Sequence, residues 1–215
     1  MKAIQLIRSL FTFTAVIGFI TGCASDNYKK SANTAAELSQ SSAMITKGTT
    51  LIDESLADLN DLVSNPYPDL RQQYKRFDNA VTELSESVKD LASKAEEMKS
   101  RGADYFAKWD KESAQIQNED IRSRSEARKN DVAARFALIS QHYDEANTAL
   151  RPLMSDLRDV QKFLSTDLTA GGLAAIKDTA AKASQDAVPV KESLVRLSDD
   201  FKSLGLSMSP TTAAR

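Results

Sequence analysis

The chain has 215 residues, with 28 basic and 30 acidic side chains and a formal net charge of −2. That balance lacks the basic excess of a nucleic-acid binder, and the length suits one domain. Charged residues, Ala, Leu and Ser dominate, with only seven Gly and five Pro, a composition that favours long helices over sheets.

Met1, Lys2 and Arg8 give a positive start, and the run LFTFTAVIGFI at 10–20 is uncharged and apolar. This run is shorter than the ~20 residues a spanning helix needs. A charged start, a short apolar segment and small residues before a cut site describe a secretory signal. Here the small residues end in the single cysteine of the chain. Ile20-Thr21-Gly22-Cys23 resembles the bacterial lipobox. The resemblance implies a lipoprotein signal peptide at 1–22 and a Cys23 thiol carrying diacylglycerol, with palmitate-type acyl chains. Two or more such chains make a stable anchor. The alternative is an ordinary signal peptide, or a short membrane anchor, with an incidental cysteine. Ala24 follows where Asp would favour inner-membrane retention. By resemblance to sorting in many Gram-negative bacteria, that favours the periplasmic side of the outer membrane. The mature chain would lose Lys2 and Arg8, leaving 26 basic against 30 acidic residues. With Cys23 modified no disulfide is available, so the fold must stand on packing.

Residues 23–30 read as a lipid-anchored linker, and 31–205 as a helical bundle. The first helix, about 31–64, is the softest. Leu38, Ile45, Ile52 and Leu59 recur every seven residues, but their partners Ala35, Ser42, Thr49, Leu56 and Val63 begin small and polar. SNPYPD at 64–69 breaks the chain. Asp69, in preference to Ser64, is expected to cap the next helix.

The second helix, about 69–117, carries the clearest pattern. Leu70, Tyr74, Phe77, Val81, Leu84, Val88, Leu91, Ala95, Met98, Gly102, Tyr105 and Trp109 alternate steps of four and three. The flanking Ala80, Ser85, Ser87 and Ala92 are small and neutral, which suits a multi-helix bundle over a two-stranded coiled coil. The third helix, about 119–168, steps alike through Val132, Phe136, Ile139, Tyr143, Ala146, Leu150, Leu153, Leu157, Val160 and Leu164. Pro152 removes a donor and should kink it. Gly171-Gly172 reads as a helix stop, followed by a fourth helix at about 173–204. Its seam is Leu173, Ile176, Ala180, Ala183, Ala187, Val190, Leu194, Leu197, Phe201 and Leu204, with a bend expected at Pro189. Residues 206–215 lack periodicity and read as a disordered tail.

These seams predict an all-α, elongated antiparallel four-helix bundle. Helices two and three read as about 50 residues, or ~75 Å, and the other two as about two-thirds of that. The excess predicts a projecting two-helix hairpin with its tip near Asn118.

Few residues suggest chemistry. The single histidine, His142, flanks Tyr143 with no cysteine or local Glu-x-x-His partner, so no metal site is expected. No phosphate-binding Gly loop or Gly-x-Ser-x-Gly elbow occurs, and a catalytic triad cannot be assembled. Trp109, with Tyr105 and Phe106, reads first as packed seam and second as an aromatic platform near the hairpin tip. The segment QNEDIRSRSEARKND at 117–131 has four basic residues, Arg122, Arg124, Arg128 and Lys129, against four acidic ones. It reads as a solvated helix start with local ion pairs, or as a contact surface for a partner or lipid headgroups.

A family resemblance rests on Phe106, Trp109, Glu112, the stretch NEDIRSRSEARKN, Tyr143 and PLMSDLRDVQKFLSTDLTA at 152–170. Together these resemble an uncharacterised family of bacterial envelope proteins, a domain of unknown function built as long helical hairpins. Pro152, Leu153, Met154, Asp159, Phe163 and Leu164 fit the family pattern without a gap. That pattern continues Lys-His-Asn-Leu-Asn-Ala, where this chain has Ser165, Thr166, Asp167, Leu168, Thr169 and Ala170, so any role of the Lys and His is not inherited. The match covers roughly 70–176 and implies a helical fold with no established activity.

The sequence therefore points to a non-enzymatic periplasmic lipoprotein. It would be a structural or adaptor component of the envelope, with no cofactor and no small-molecule substrate. Its contacts would be the membrane, through lipid on Cys23, and an envelope protein, through Tyr105, Phe106, Trp109, Arg122, Arg124 and Arg128. Alternatives are an accessory regulator of an envelope enzyme or transport system, or a hydrolase with an unfamiliar site.

Overall fold

The computed structural model describes residues 24–209, with side chains from 33 onward. Four helices run up and down: α1 (Ala24–Ser64), α2 (Arg71–Ser113), α3 (Glu119–Leu164) and α4 (Ala170–Met208). Each packs on its two neighbours in a closed ring, α1 on α2 and α4, and α3 on α2 and α4. This is the all-α bundle that the seams predict.

The seams of α3 and α4 form most of the core. All ten seam residues of α4 are buried, as are those of α3 except the half-buried Phe136 and Tyr143. On α1, Leu38, Ile45, Ile52, Leu56 and Leu59 are buried, joined by Leu51 and Leu62. The closest packing is between α1 and α4. It is set by small residues: Ala180, Ala183 and Ala187 are buried, and the buried Ser42 and Ser198 hydroxyls hydrogen-bond across the interface at 2.8 Å. The loosest packing is between α2 and α3, where Tyr105, Phe106, Trp109, Phe136 and Tyr143 lie half-buried against the core.

Several helix ends differ from the sequence expectation, and those at the α2–α3 turn follow from turn chemistry. α1 is helical from Ala24, the first described residue, so residues 24–30 of the linker expected at 23–30 are helical. α2 ends at Ser113 rather than 117. There the last N–H groups bond back as Gln115 N to Glu112 O and Ile116 N to Ser113 O, and the Arg122 guanidinium donates to Ile116 O at 3.3 Å. α3 opens on Asn118, whose side-chain oxygen accepts from Ile121 N at 3.1 Å, with Glu119 and Asp120 favourably placed in the first turn. α4 runs to Met208, so residues 206–208 of the expected tail are helical, and 210–215 lie outside the described residues. Both α3 and α4 remain helical through their internal prolines, Pro152 and Pro189.

Gly171 and Gly172 do not stop a helix; they sit in the first turn of α4. Thr169 is the N-cap and its hydroxyl accepts from Gly172 N at 3.1 Å. Asp69 does not occupy the cap position of α2, which is Leu70, yet its carboxylate accepts from Arg71 N at 3.1 Å and so satisfies one of the first-turn donors.

The four lengths, 41, 43, 46 and 39 residues, are closer than expected, which shortens the projecting hairpin. Arg128 donates to Ser207 O at 2.8 Å, so α4 ends beside Arg128. Nine residues of α3 precede that point, a projection of ~14 Å.

Candidate functional site

The residues expected to meet a partner gather at the hairpin end, but most are already engaged within the chain. Tyr105 stacks edge-on against both Phe106 and Trp109, at centroid distances of 5.6 and 5.5 Å. Phe106 in turn meets Phe136 edge-on at 6.0 Å. Trp109 donates its indole N–H to Ser125 Oγ at 2.9 Å, and Ser125 pairs with the buried Ser113 hydroxyl at 2.7 Å. These contacts tie α2 to α3 just below the tip. Tyr105, Trp109, Glu112, Ile116 and Ser125 line a cleft of ≈ 390 Å³. Burial raises the Tyr105 phenol above its ordinary pKa.

The basic residues of the tip are similarly occupied. Arg122 closes the tip turn on Ile116 O, and Arg124 pairs with Asp120 at 3.0 Å. Arg128 bridges Asp131 at 2.6 Å and the Ser207 carbonyl near the end of α4, a favourable place for a cation. Lys129 pairs with Asp110 on α2. Alternating charges that looked like a solvated face in the sequence include interhelical contacts, because Asp110 and Ser207 come from other helices.

One level down, Arg101 of α2 links Glu97 at 2.6 Å to Glu37 of α1, and Lys94 takes the other oxygen of Glu97 at 2.7 Å. Hydrogen bonding from Lys94, then the Arg101 charge, lowers the Glu97 pKa; hydrogen bonding to Glu37 raises that of Arg101. Beneath this ionic row lies a cavity of ≈ 150 Å³ to which all four helices contribute. Gly102 lies in its wall, where a Cβ would stand 2.5 Å from Cζ of Phe136.

His142 finds a partner that local sequence could not reveal. Its Nδ1 lies 2.5 Å from Asp200 Oδ2 on α4, and both side chains are mostly buried. The pair clamps α3 to α4. Among the described residues no three His, Cys, Asp or Glu side chains converge as metal ligands. No described helix is long and apolar enough to cross a membrane. Cys23 lies outside the described residues.

A family described as a protein of unknown function (DUF2959) matches residues 28–196. The chain belongs to this family. The match begins 42 residues before the resemblance seen in the sequence and takes in α1 from its second turn, so the DUF2959 unit comprises α1, α2 and α3 and most of α4. Comparisons with curated proteins and with solved structures found no match.

Proposed function

We propose that this DUF2959 protein is a non-catalytic, lipid-anchored rod on the periplasmic face of the outer membrane. It acts as a structural or adaptor component of the envelope through helical protein–protein contacts. The observation that carries this reading is that residues 24–30, next to the lipobox cysteine in sequence, are helical and continuous with the rest of α1. Lipid on Cys23 would then join the bundle with no extended linker, so the membrane would orient the rod as well as retain it.

Helix geometry supports one orientation. Glu37 of α1 pairs with Arg101 of α2. From Glu37 back to Ala24 is ~20 Å of helix, and from Arg101 onward to Asn118 is ~25 Å. An anchor at Cys23 and the hairpin tip therefore share one end of the rod. An upright bundle sets its tip at the headgroups and its opposite end, with the exposed Tyr67 and Phe163, some 60–70 Å into the periplasm. The intramolecular engagement of Trp109, Arg122 and Arg128 favours the sides and far end of the rod over the tip as the partner surface.

Two measurements test the reading. An alkyne palmitate analogue should label the chain in cells, and Cys23→Ser should abolish the label and release the protein from the membrane fraction. Crosslinking with mass spectrometry in intact cells should recover an envelope protein joined to lysines such as Lys177 or Lys191. Labelling that survives Cys23→Ser defeats the anchor, and recovery of no partner defeats the adaptor role.

A further inference from the structure

The cavity under the Arg101 row has features of a ligand site rather than of a packing defect. Its deep walls are apolar, formed by Leu38, Met44, Met98, Phe136, Leu204 and Met208. Three of the chain's five methionines are among them, and methionine side chains are unbranched and adapt readily to an inserted group. The cavity opens between α1 and α2, and its mouth is the charged row Lys94, Glu97, Arg101 and Glu37. An enclosed apolar cavity of about this size takes a molecule such as benzene, so the space beneath the mouth has room for roughly six carbons.

The mouth identifies what should accompany those carbons. Arg101 already holds one carboxylate on each of two guanidinium nitrogens, Glu37 on one and Glu97 on the other. Glu37 and Glu97 are themselves substantially solvent-exposed, at 47% and 39%, and so are free to leave. Arginine is suited to planar, two-point recognition of carboxylates. A carboxylate tethered to a buried chain would compete with Glu37, since the chain holds it at the mouth.

We propose that this cavity binds the end of a single fatty acyl chain, whose carboxylate replaces Glu37 on Arg101 at the mouth. The site is separate from the acyl anchor on Cys23 and does not depend on it. Chain length matters through burial: each methylene placed inside favours binding about fourfold until the cavity is full. Longer chains must displace Met44, Met98 or Met208.

The experiment uses the full chain in whole-cell lysate, soluble and membrane fractions together, and octanoic acid carrying a diazirine at its far end. Irradiation followed by mass spectrometry should place the label on the cavity walls, at Met44, Met98 or Phe136. Excess unmodified octanoate should compete it away. Arg101→Met should lower labelling by the acid about tenfold, the value of a charged hydrogen bond, while labelling by the methyl ester stays unchanged. Ser41→Leu and Met44→Phe each add bulk to the cavity and should each abolish the cavity label. Either suffices, and a thermal melt no lower than that of the parent chain certifies the variant used. Label scattered over the outer helix faces overturns the site. So does a cavity label that persists in the filled variants. Equal labelling by acid and ester in the parent chain overturns the role of Arg101. Loss of membrane attachment in Cys23→Ser leaves the pocket result untouched, so the anchor and the pocket can fail separately.

Discussion

Gly172 lies beneath the backbone carbonyl of Asp167, so close that a Cβ on it would stand 2.2 Å from that oxygen. The chain leaves α3, turns through residues 165–169 and folds back over the first turn of α4, and only a bare Cα fits under it. Asp167 N and Ser165 N are fixed in turn to Phe163 O and Gln161 O, so the backbone cannot easily give way. Its neighbour Gly171 is under no such constraint, since a Cβ there meets only Thr169 Oγ1 at 3.6 Å. Adjacent glycines should therefore respond with opposite signs. Gly172→Ala should cost about 3 kcal/mol by overpacking. Gly171→Ala should gain about 0.5 kcal/mol from reduced unfolded-state entropy. Urea unfolding of the two variants checks both, and equal effects would refute this account of the turn.

The Ser42–Ser198 pair makes a different kind of prediction. Both residues are buried and their hydroxyls satisfy each other at 2.8 Å between α1 and α4. Removing one hydroxyl leaves the other without its side-chain partner, so Ser42→Ala or Ser198→Ala should each cost about 1–2 kcal/mol. Replacing both removes the orphaned group, and the double variant should be more stable than the sum of the singles by about 1 kcal/mol. A double-mutant cycle from denaturant melts measures that coupling, and strict additivity would show that the pair contributes nothing.

The two halves of the fold were legible to different degrees, and these serines show why. Large aliphatic residues at strict four–three spacing can hide only along one seam, so Leu150, Leu153 and Leu157 on α3 and Leu194 and Leu197 on α4 declare themselves. Ser42, Ser55, Gln73 and Ser198 are equally buried, but a polar residue goes inside only where another group meets it. For Ser42 and Ser198 that partner is named by tertiary structure, whereas Ser55 bonds Leu51 O within its own helix. The same limit hid Asp200 from His142, 58 residues away, and Ser125 from Trp109. The cavity was illegible too, because its walls come from four helices and only tertiary structure brings them together. At the α2–α3 and α3–α4 turns the helix bounds shifted because turn hydrogen bonds, invisible to hydrophobic periodicity, decided the last residues.

Asp69 supplies a pH prediction. Hydrogen bonds from the Arg71 side chain, at 2.8 and 2.9 Å, and then from its backbone N–H lower the Asp69 pKa to about 2. An unfolded aspartate titrates near ~3.9. A carboxylate depressed in the folded state stabilises that state above the unfolded value and ceases to do so as the pH falls through the folded value. The contribution should be complete above about pH 4 and lost toward pH 2, and it should be small because both groups face solvent. Carboxyl chemical shifts followed from pH 5 to pH 1.5 should place Asp69 near the low end, and Arg71→Gln should return it toward the ordinary range. An Asp69 midpoint near 4 in the parent chain would show that the pair does not persist in solution.

Gln73 carries the strongest single-residue prediction, because one buried amide organises the whole α1–α2 connection. Its Oε1 accepts from Tyr67 N at 2.9 Å, while Nε2 donates to Asp61 Oδ2 at 2.9 Å and to Asn65 O at 3.0 Å. Arg76 reaches the same Asp61 oxygen at 2.7 Å. The two prolines of the turn supply no donors of their own, so this amide fixes a segment with few other ties. Gln73→Ala should cost about 2–3 kcal/mol through the groups it leaves unmatched. Gln73→Glu is nearly isosteric, yet at neutral pH it exchanges the donor for a carboxylate facing Asp61 and the Asn65 carbonyl. It should be the more damaging change at pH 7. Burial and the Asp61 charge would raise the pKa of the new carboxyl, so the excess cost is present above that pKa and relieved below it, where the protonated acid can donate again. Urea melts at pH 7 and pH 5 should therefore show Gln73→Glu recovering toward the parent chain on acidification while Gln73→Ala does not. A Gln73→Glu variant as stable as the parent at pH 7 would mean that the donor side of this amide does not hold the turn.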